Sequence, residues 1–224
     1  MPTRVNTEPV KLRQDGDGPS VIYGTGVVAY DGTPRTEYVM REGNKESGVR
    51  RVVERIMPGA GDAVLSSGKD IYVSRNHNPD NILGRTTAGT AKVWKDPHTG
   101  DIKYEATAPD TTAGRDTVAQ LARGDLQGSS FMFWPEKENH RMQDGIGVIE
   151  IHEFRVMPEM GPVTSPAYKA TDAAVRSGND ELLKRFEEFE KVEDAKVAKL
   201  EQEDAAATEA KRAEYEERAR KAGA

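Results

Sequence analysis

The spacing of apolar residues changes character along this chain. From about Val21 to Tyr168, apolar positions come in short runs rich in β-branched and aromatic types, broken by Gly and Pro. That rhythm predicts many short strands and few helices. From about Asn179 no Gly or Pro occurs until Gly223, and Glu, Lys, Arg and Ala dominate. That stretch predicts one long helix, with Asn179 or Asp180 as its cap.

Within the first regime, VIYGTGVVAY (21–30) predicts a strand, with Gly24 and Gly26 as bulge positions. RRVVERIMP (50–58) predicts another, and DIYVSRNH (70–77) a strand running into a polar turn. AKVWKD, PHTG and DIKYEATA predict a hairpin over 91–108. A helix follows, capped by Thr111 or Thr112, with Val118, Ala119, Leu121 and Ala122 as its apolar face and Gly124 as its stop. GVIEIHEFRVM (147–157) is apolar on both faces and predicts a central strand. PVTSPAY (162–168) closes the domain. Together these predict an α+β fold, a closed or partly closed β-barrel decorated by helices. The chain divides into a polar, flexible N-terminal arm (1–20), a domain over 21–172 and a charged helical tail over 173–224. In the tail, Phe186 and Phe189 recur 11 residues on as Val197 and Leu200, a narrow stripe that fits either a solvated single helix or a segment for partner binding or coiled-coil self-association.

Composition narrows the chemistry. The formal net charge is −6, so no electrostatic drive toward nucleic acid or an anionic membrane is expected. Cysteine is absent, which excludes disulfides, thiolate nucleophiles and Cys-based zinc sites. The opening residues carry no apolar signal core, and no run approaches the roughly 18 apolar residues of a membrane span. Histidines and acids show no ligand spacing, and no phosphate-binding glycine loop occurs, so neither metal nor cofactor is expected.

Two adjacent serines raise the question of nucleophilic chemistry, although small polar residues are common at a strand start and the pattern alone makes neither of them catalytic. In GDLQGSSFMFW (124–134), strand alternation puts Ser129 with Phe131 and Phe133 on one face, and Ser130 with Met132 and Trp134 on the other. The phenylalanines mark a core face, so Ser130 points outward or into a groove. A serine nucleophile needs a base within hydrogen-bond reach. Of four histidines, His98 falls in a hairpin turn, His140 in a polar loop and His152 in a strand expected to be buried. His77 ends a strand beside a turn, where a side chain can be rigid yet reachable. Glu153 and Glu159 stand out among the acids because they neighbour apolar strand residues.

Three segments in this order, RNHNPDNILGRTTAGT (75–90), DTTAGRDTVAQLARGDLQGSSFMF (110–133) and EMGPVTSPAYKAT (159–171), resemble the prohead (capsid maturation) proteases of tailed bacteriophages. The likeness covers roughly residues 22–171. It implies a serine endopeptidase whose fold is similar to the herpesvirus assembly proteases, a β-barrel ringed by helices. It implies His77 as base, Ser130 as nucleophile and Glu159 as the acid, with His152 and Glu153 as alternatives for the third member. Ser129 stands where that family often has a larger apolar residue, and Met132 where it often has Gly. The implied substrates are scaffold segments and the N-terminal part of the major capsid protein. The implied place is the assembling procapsid in the host cytoplasm, with self-cleavage late in maturation. The competing expectation is a non-catalytic scaffolding protein that keeps the fold and uses the tail.

Overall fold

A computed structural model describes residues 3–6, 10–14, 18–42 and 51–164. Its strands are β1 (Thr3–Asn6), β2 (Lys11–Arg13), β3 (Val21–Val27), β4 (Tyr38–Glu42), β5 (Arg51–Ile56), β6 (Tyr72–Ser74), β7 (Ile82–Arg85), β8 (Ala91–Lys95), β9 (Ile102–Thr107), β10 (Gly128–Gln143) and β11 (Ile146–Val163). The described α-helices are α1 (Asp62–Ser66) and α2 (Thr112–Arg123). The described part is thus mostly β with few helices, as the short apolar runs require. Within the expected N-terminal arm, β1 and β2 are strands that pair with β10 and β3. The tail over 173–224 and the end of the PVTSPAY segment lie outside the described residues.

The strands form two sheets. One runs in the order β1-β10-β11-β5-β4, with β6 and β7 attached alongside β11. The other runs β2-β3-β9-β8 and contains the predicted 91–108 hairpin. β11 is central, as its two apolar faces predict. It pairs with β10 on one side, while its first half runs parallel to β5 and Glu159–Met160 run parallel to β6. Among the described residues the strands do not close into the expected barrel. Closure needs the first and last strands of one continuous sheet to pair. Here the first sheet ends on β1 and β4, and no pairing among the described residues joins it to the second. Nor do helices ring the sheets among the described residues, where α1 and α2 stand alone as α-helices.

The sheets pack through side chains. Phe131, Phe133 and Phe154 of the first sheet are fully buried and in ring contact, with centroids 5.4 Å apart for Phe131–Phe133 and 4.8 Å for Phe133–Phe154. Each buried ring contributes about 1.5–3 kcal/mol. Ile22 and Tyr104 of the second sheet are equally buried. Two glycines in β3 permit the close approach. A Cβ at Gly26 would stand 2.6 Å from Met160 Sδ, and one at Gly24 would stand 3.0 Å from Ser129 Oγ. The register shift in β3 falls between Thr25 and Val27, so Gly26 sits in the bulge and Gly24 does not.

In α2, Thr111 Oγ1 accepts from Gly114 N at 3.1 Å and Gly124 closes the helix at φ 81°. Its buried positions are Gly114 and Thr117; Val118 and Leu121 are half-buried, and Ala119 and Ala122 are exposed. Small residues take the inner face because the helix lies close to its own entry: a Cβ at Gly114 would meet Pro109 O at 2.0 Å.

Candidate active site

Register places the serines. Ser129 and Ser130 lie opposite Pro162 and Gly161 of β11, and Met132 lies opposite Glu159. Directly paired residues share a face, as do residues two apart. Ser130, Met132, Gly161 and Glu159 therefore share one face of the sheet. Ser129, Phe131 and Phe133 take the other, toward the second sheet, where Ser129 Oγ shares a 3.0 Å hydrogen bond with Tyr104 OH. The alternation read from sequence holds. Of the two placements expected for Ser130, outward or into a groove, its full burial fits the second.

His77 arrives from the turn after β6. A Cβ at Gly161 would stand 2.0 Å from Ser74 O, so only glycine lets that backbone pack against β11 at this point. The chain then turns through Asn76 and His77, both at φ 55°. This left-handed conformation is uncommon outside glycine but is several-fold enriched for Asn and His. Hydrogen bonds hold it. Asn76 N donates to Pro162 O at 2.9 Å. Asn76 Oδ1 accepts from Thr164 N at 2.8 Å, and Asn76 Nδ2 donates to Thr164 Oγ1 at 2.9 Å. Arg75 Nη1 ties the turn to α2 by donating to Gln120 Oε1 at 3.1 Å.

The result is a chain of polar contacts through one imidazole. His77 Nδ1 lies 2.5 Å from Glu159 Oε2, and His77 Nε2 lies 2.6 Å from Ser130 Oγ. A carboxylate can only accept, so Nδ1 carries the proton. In the neutral ring Nε2 then accepts from the Ser130 hydroxyl. Glu159 is almost fully buried, and its other oxygen accepts from Ser74 Oγ at 2.7 Å. Both carboxylate oxygens are thereby engaged, which offsets the cost of burying the charge. Such an arrangement can draw a proton from a serine hydroxyl and stabilise the imidazolium that forms.

The other candidates lie elsewhere. His98 is exposed in the β8–β9 turn, as expected. His140 is in β10 rather than a loop, because β10 continues to Gln143; its Nε2 lies 3.0 Å from Glu138 Oε1. His152, expected to be buried, is exposed on β11, 3.3 Å from Asn139 Nδ2. Glu153 pairs with Lys137. The structure thus brings together His77, Ser130 and Glu159, with Glu153 and His152 engaged with other partners. Ser74, Asn76, Gly161 and Thr164 were not singled out from sequence. Ser74 and Thr164 are short polar residues of no distinctive pattern, and only the fold shows what they touch.

Among the described residues no group of three or more His, Asp or Glu side chains is placed to hold a metal ion. No described helix is long and apolar enough to cross a membrane. No match is found among curated proteins or among solved structures. Residues 31–185, which take in His77, Ser130 and Glu159, match the family described as caudovirus prohead serine protease. That match spans most of the sequence and agrees with the three segments that resembled phage capsid maturation enzymes, so the chain belongs to the caudovirus prohead serine proteases.

Proposed function

We propose that this chain is a serine endopeptidase that cleaves scaffold segments and the N-terminal part of the major capsid protein inside the assembling procapsid. Ser130 is the nucleophile, His77 the general base and Glu159 the residue that orients and charge-balances the imidazole. The observation that carries the reading is the pair of contacts on one ring, Nδ1 to Glu159 at 2.5 Å and Nε2 to Ser130 at 2.6 Å.

In this mechanism Ser130 Oγ attacks the peptide carbonyl carbon as its proton passes to His77 Nε2. His77 then gives that proton to the departing amine, leaving an acyl-enzyme on Ser130. Water, deprotonated by His77, releases the acyl group and restores the serine. Glu159 orients the ring throughout, held by Ser74 and His77.

The test is coexpression with the phage's scaffold and major capsid protein, read by mass spectrometry of the assembled particles. The wild-type chain should shorten both proteins, and Ser130→Ala should leave both intact in particles that still contain it. Normal processing with Ser130→Ala would remove the catalytic role from this serine. No processing by either protein, with normal assembly, would favour a scaffolding protein that keeps the fold.

A further inference from the structure

Ser130 is fully buried, although the proposed chemistry requires a peptide to reach it. His77 and Glu159 stand on the β11 side of β10, and β11 itself occupies that edge through the Ser130–Gly161 pair. The opposite edge of β10 is the remaining main-chain approach to the nucleophile, and β1 occupies it. Thr3–Asn6 run antiparallel to β10, with Val5 opposite Ser130 and Asn6 opposite Ser129. β1 ends its sheet and is only four residues long. A strand so short makes few main-chain hydrogen bonds, each of modest net value, so another extended segment can replace it.

We infer that β1 is a built-in stand-in for substrate: an extended peptide docks by adding to the β10 edge, antiparallel and in the register of Thr3–Asn6, after β1 leaves. The inference rests on the reading of Ser130 as nucleophile and adds the peptide-binding edge and an intramolecular competitor to it. Main-chain pairing recognises any extended segment, and side-chain preference is added by neighbouring surfaces. A tethered strand competes at a high effective concentration, so the N-terminal segment raises the peptide concentration needed for docking.

The test uses the full-length chain and the double variant Arg4→Pro/Val5→Pro. Successive N–H groups in a strand point to opposite edges, so two adjacent prolines remove one that faces β10. The probe is a fluorescein-labelled synthetic peptide of residues 1–8, MPTRVNTE, followed by fluorescence anisotropy. The variant should bind it at least about tenfold more tightly than the wild-type chain, since the tethered competitor is gone. N-methylation of the peptide at one of two adjacent positions should abolish that gain, and at the other should not. Equal affinity for both proteins, or no binding to either, overturns the inference. So does a variant that fails to fold, because β1 would then be an integral strand. A fluorophosphonate probe is run in parallel on both proteins. Peptide binding as expected with no adduct on Ser130 in either protein would sink the proposed function and leave the docking edge standing. An adduct on Ser130 formed equally fast in both, without peptide binding, would do the reverse.

Discussion

Ser130 and Glu159 lie on neighbouring strands, two residues out of register, on the same face of one sheet. Gly161, paired with Ser130 on that face, has no side chain, and the Ser74 backbone that leads into the His77 turn packs against it. Two strands and one glycine therefore set the separation that a single imidazole spans.

Gly161→Ala tests that contact. Its methyl group would meet Ser74 backbone, which has no flexible end to give way. Overpacking of this kind costs about 1–3 kcal/mol and displaces the His77 turn. Gly124→Ala is the comparison: nothing lies near its Cβ, and the cost is that of a left-handed φ of 81°, about 1 kcal/mol. Urea unfolding and peptidase assays should show Gly161→Ala losing stability and nearly all activity, and Gly124→Ala losing stability alone.

Glu159→Gln should be nearly inactive although it is almost isosteric. An amide can present N–H to Nδ1, which favours the imidazole form with its proton on Nε2 and removes the acceptor for the Ser130 hydroxyl. A fall in kcat of about 10⁴-fold is expected. His77→Ala and Ser130→Ala should each be at least as severe, and their double variant no worse than either, because the groups act as a unit. Single-turnover rates on one peptide measure all four; additive losses would contradict the coupling.

Ser74→Ala leaves one oxygen of the buried Glu159 carboxylate without its hydroxyl donor. The expected cost is about 1–3 kcal/mol of stability. As a positioning effect it should lower kcat about tenfold or more and leave KM unchanged. Ser74→Thr keeps the hydroxyl and should restore much of the rate. An effect on KM alone would show that Ser74 acts by another route.

The face of each serine was legible in the sequence because strand period is local. The phenylalanines at 131 and 133 mark the inner face, and the structure seals Ser129 there against Tyr104. His77 was legible as a strand-end residue beside a turn. His152 was not, because register shifts in β10 between Met132 and Glu138 break simple alternation against β11, and no local pattern announces them. His140 was misread for a related reason: a polar stretch reads as loop even where β10 continues to Gln143. Short strands led to the expectation of a closed or partly closed barrel, but their number says nothing of whether two sheets join, and the described residues form two sheets. Ser74 and the Asn76–Thr164 clasp could not be read at all, since their partners are 85 and 88 residues away in sequence.

Alkaline pH probes the inner serine. Burial holds the Tyr104 phenol well above its usual range, with the Ser129 hydrogen bond opposing that shift in part. A raised folded-state value means its stabilising contribution is complete below the unfolded value of about 10 and is lost as pH rises above it. Its share of unfolding free energy should therefore fall by up to about 1.4 kcal/mol per pH unit above pH 10. Tyr104→Phe should remove that share of the slope, at a cost of about 1 kcal/mol near neutrality from the lost hydrogen bond. Urea unfolding at successive pH values checks both signs. An unchanged slope in Tyr104→Phe would place the alkaline sensitivity elsewhere.

The central claim is that Ser130, and not Ser129, is the nucleophile activated by His77. Its most direct test is peptide mapping after reaction of the full-length chain with a fluorophosphonate, which modifies only an activated serine. The account predicts one adduct on Ser130, retained in Ser129→Ala and lost in Ser130→Ala and His77→Ala. An adduct on Ser129, or one on Ser130 that forms equally fast in His77→Ala, would contradict it.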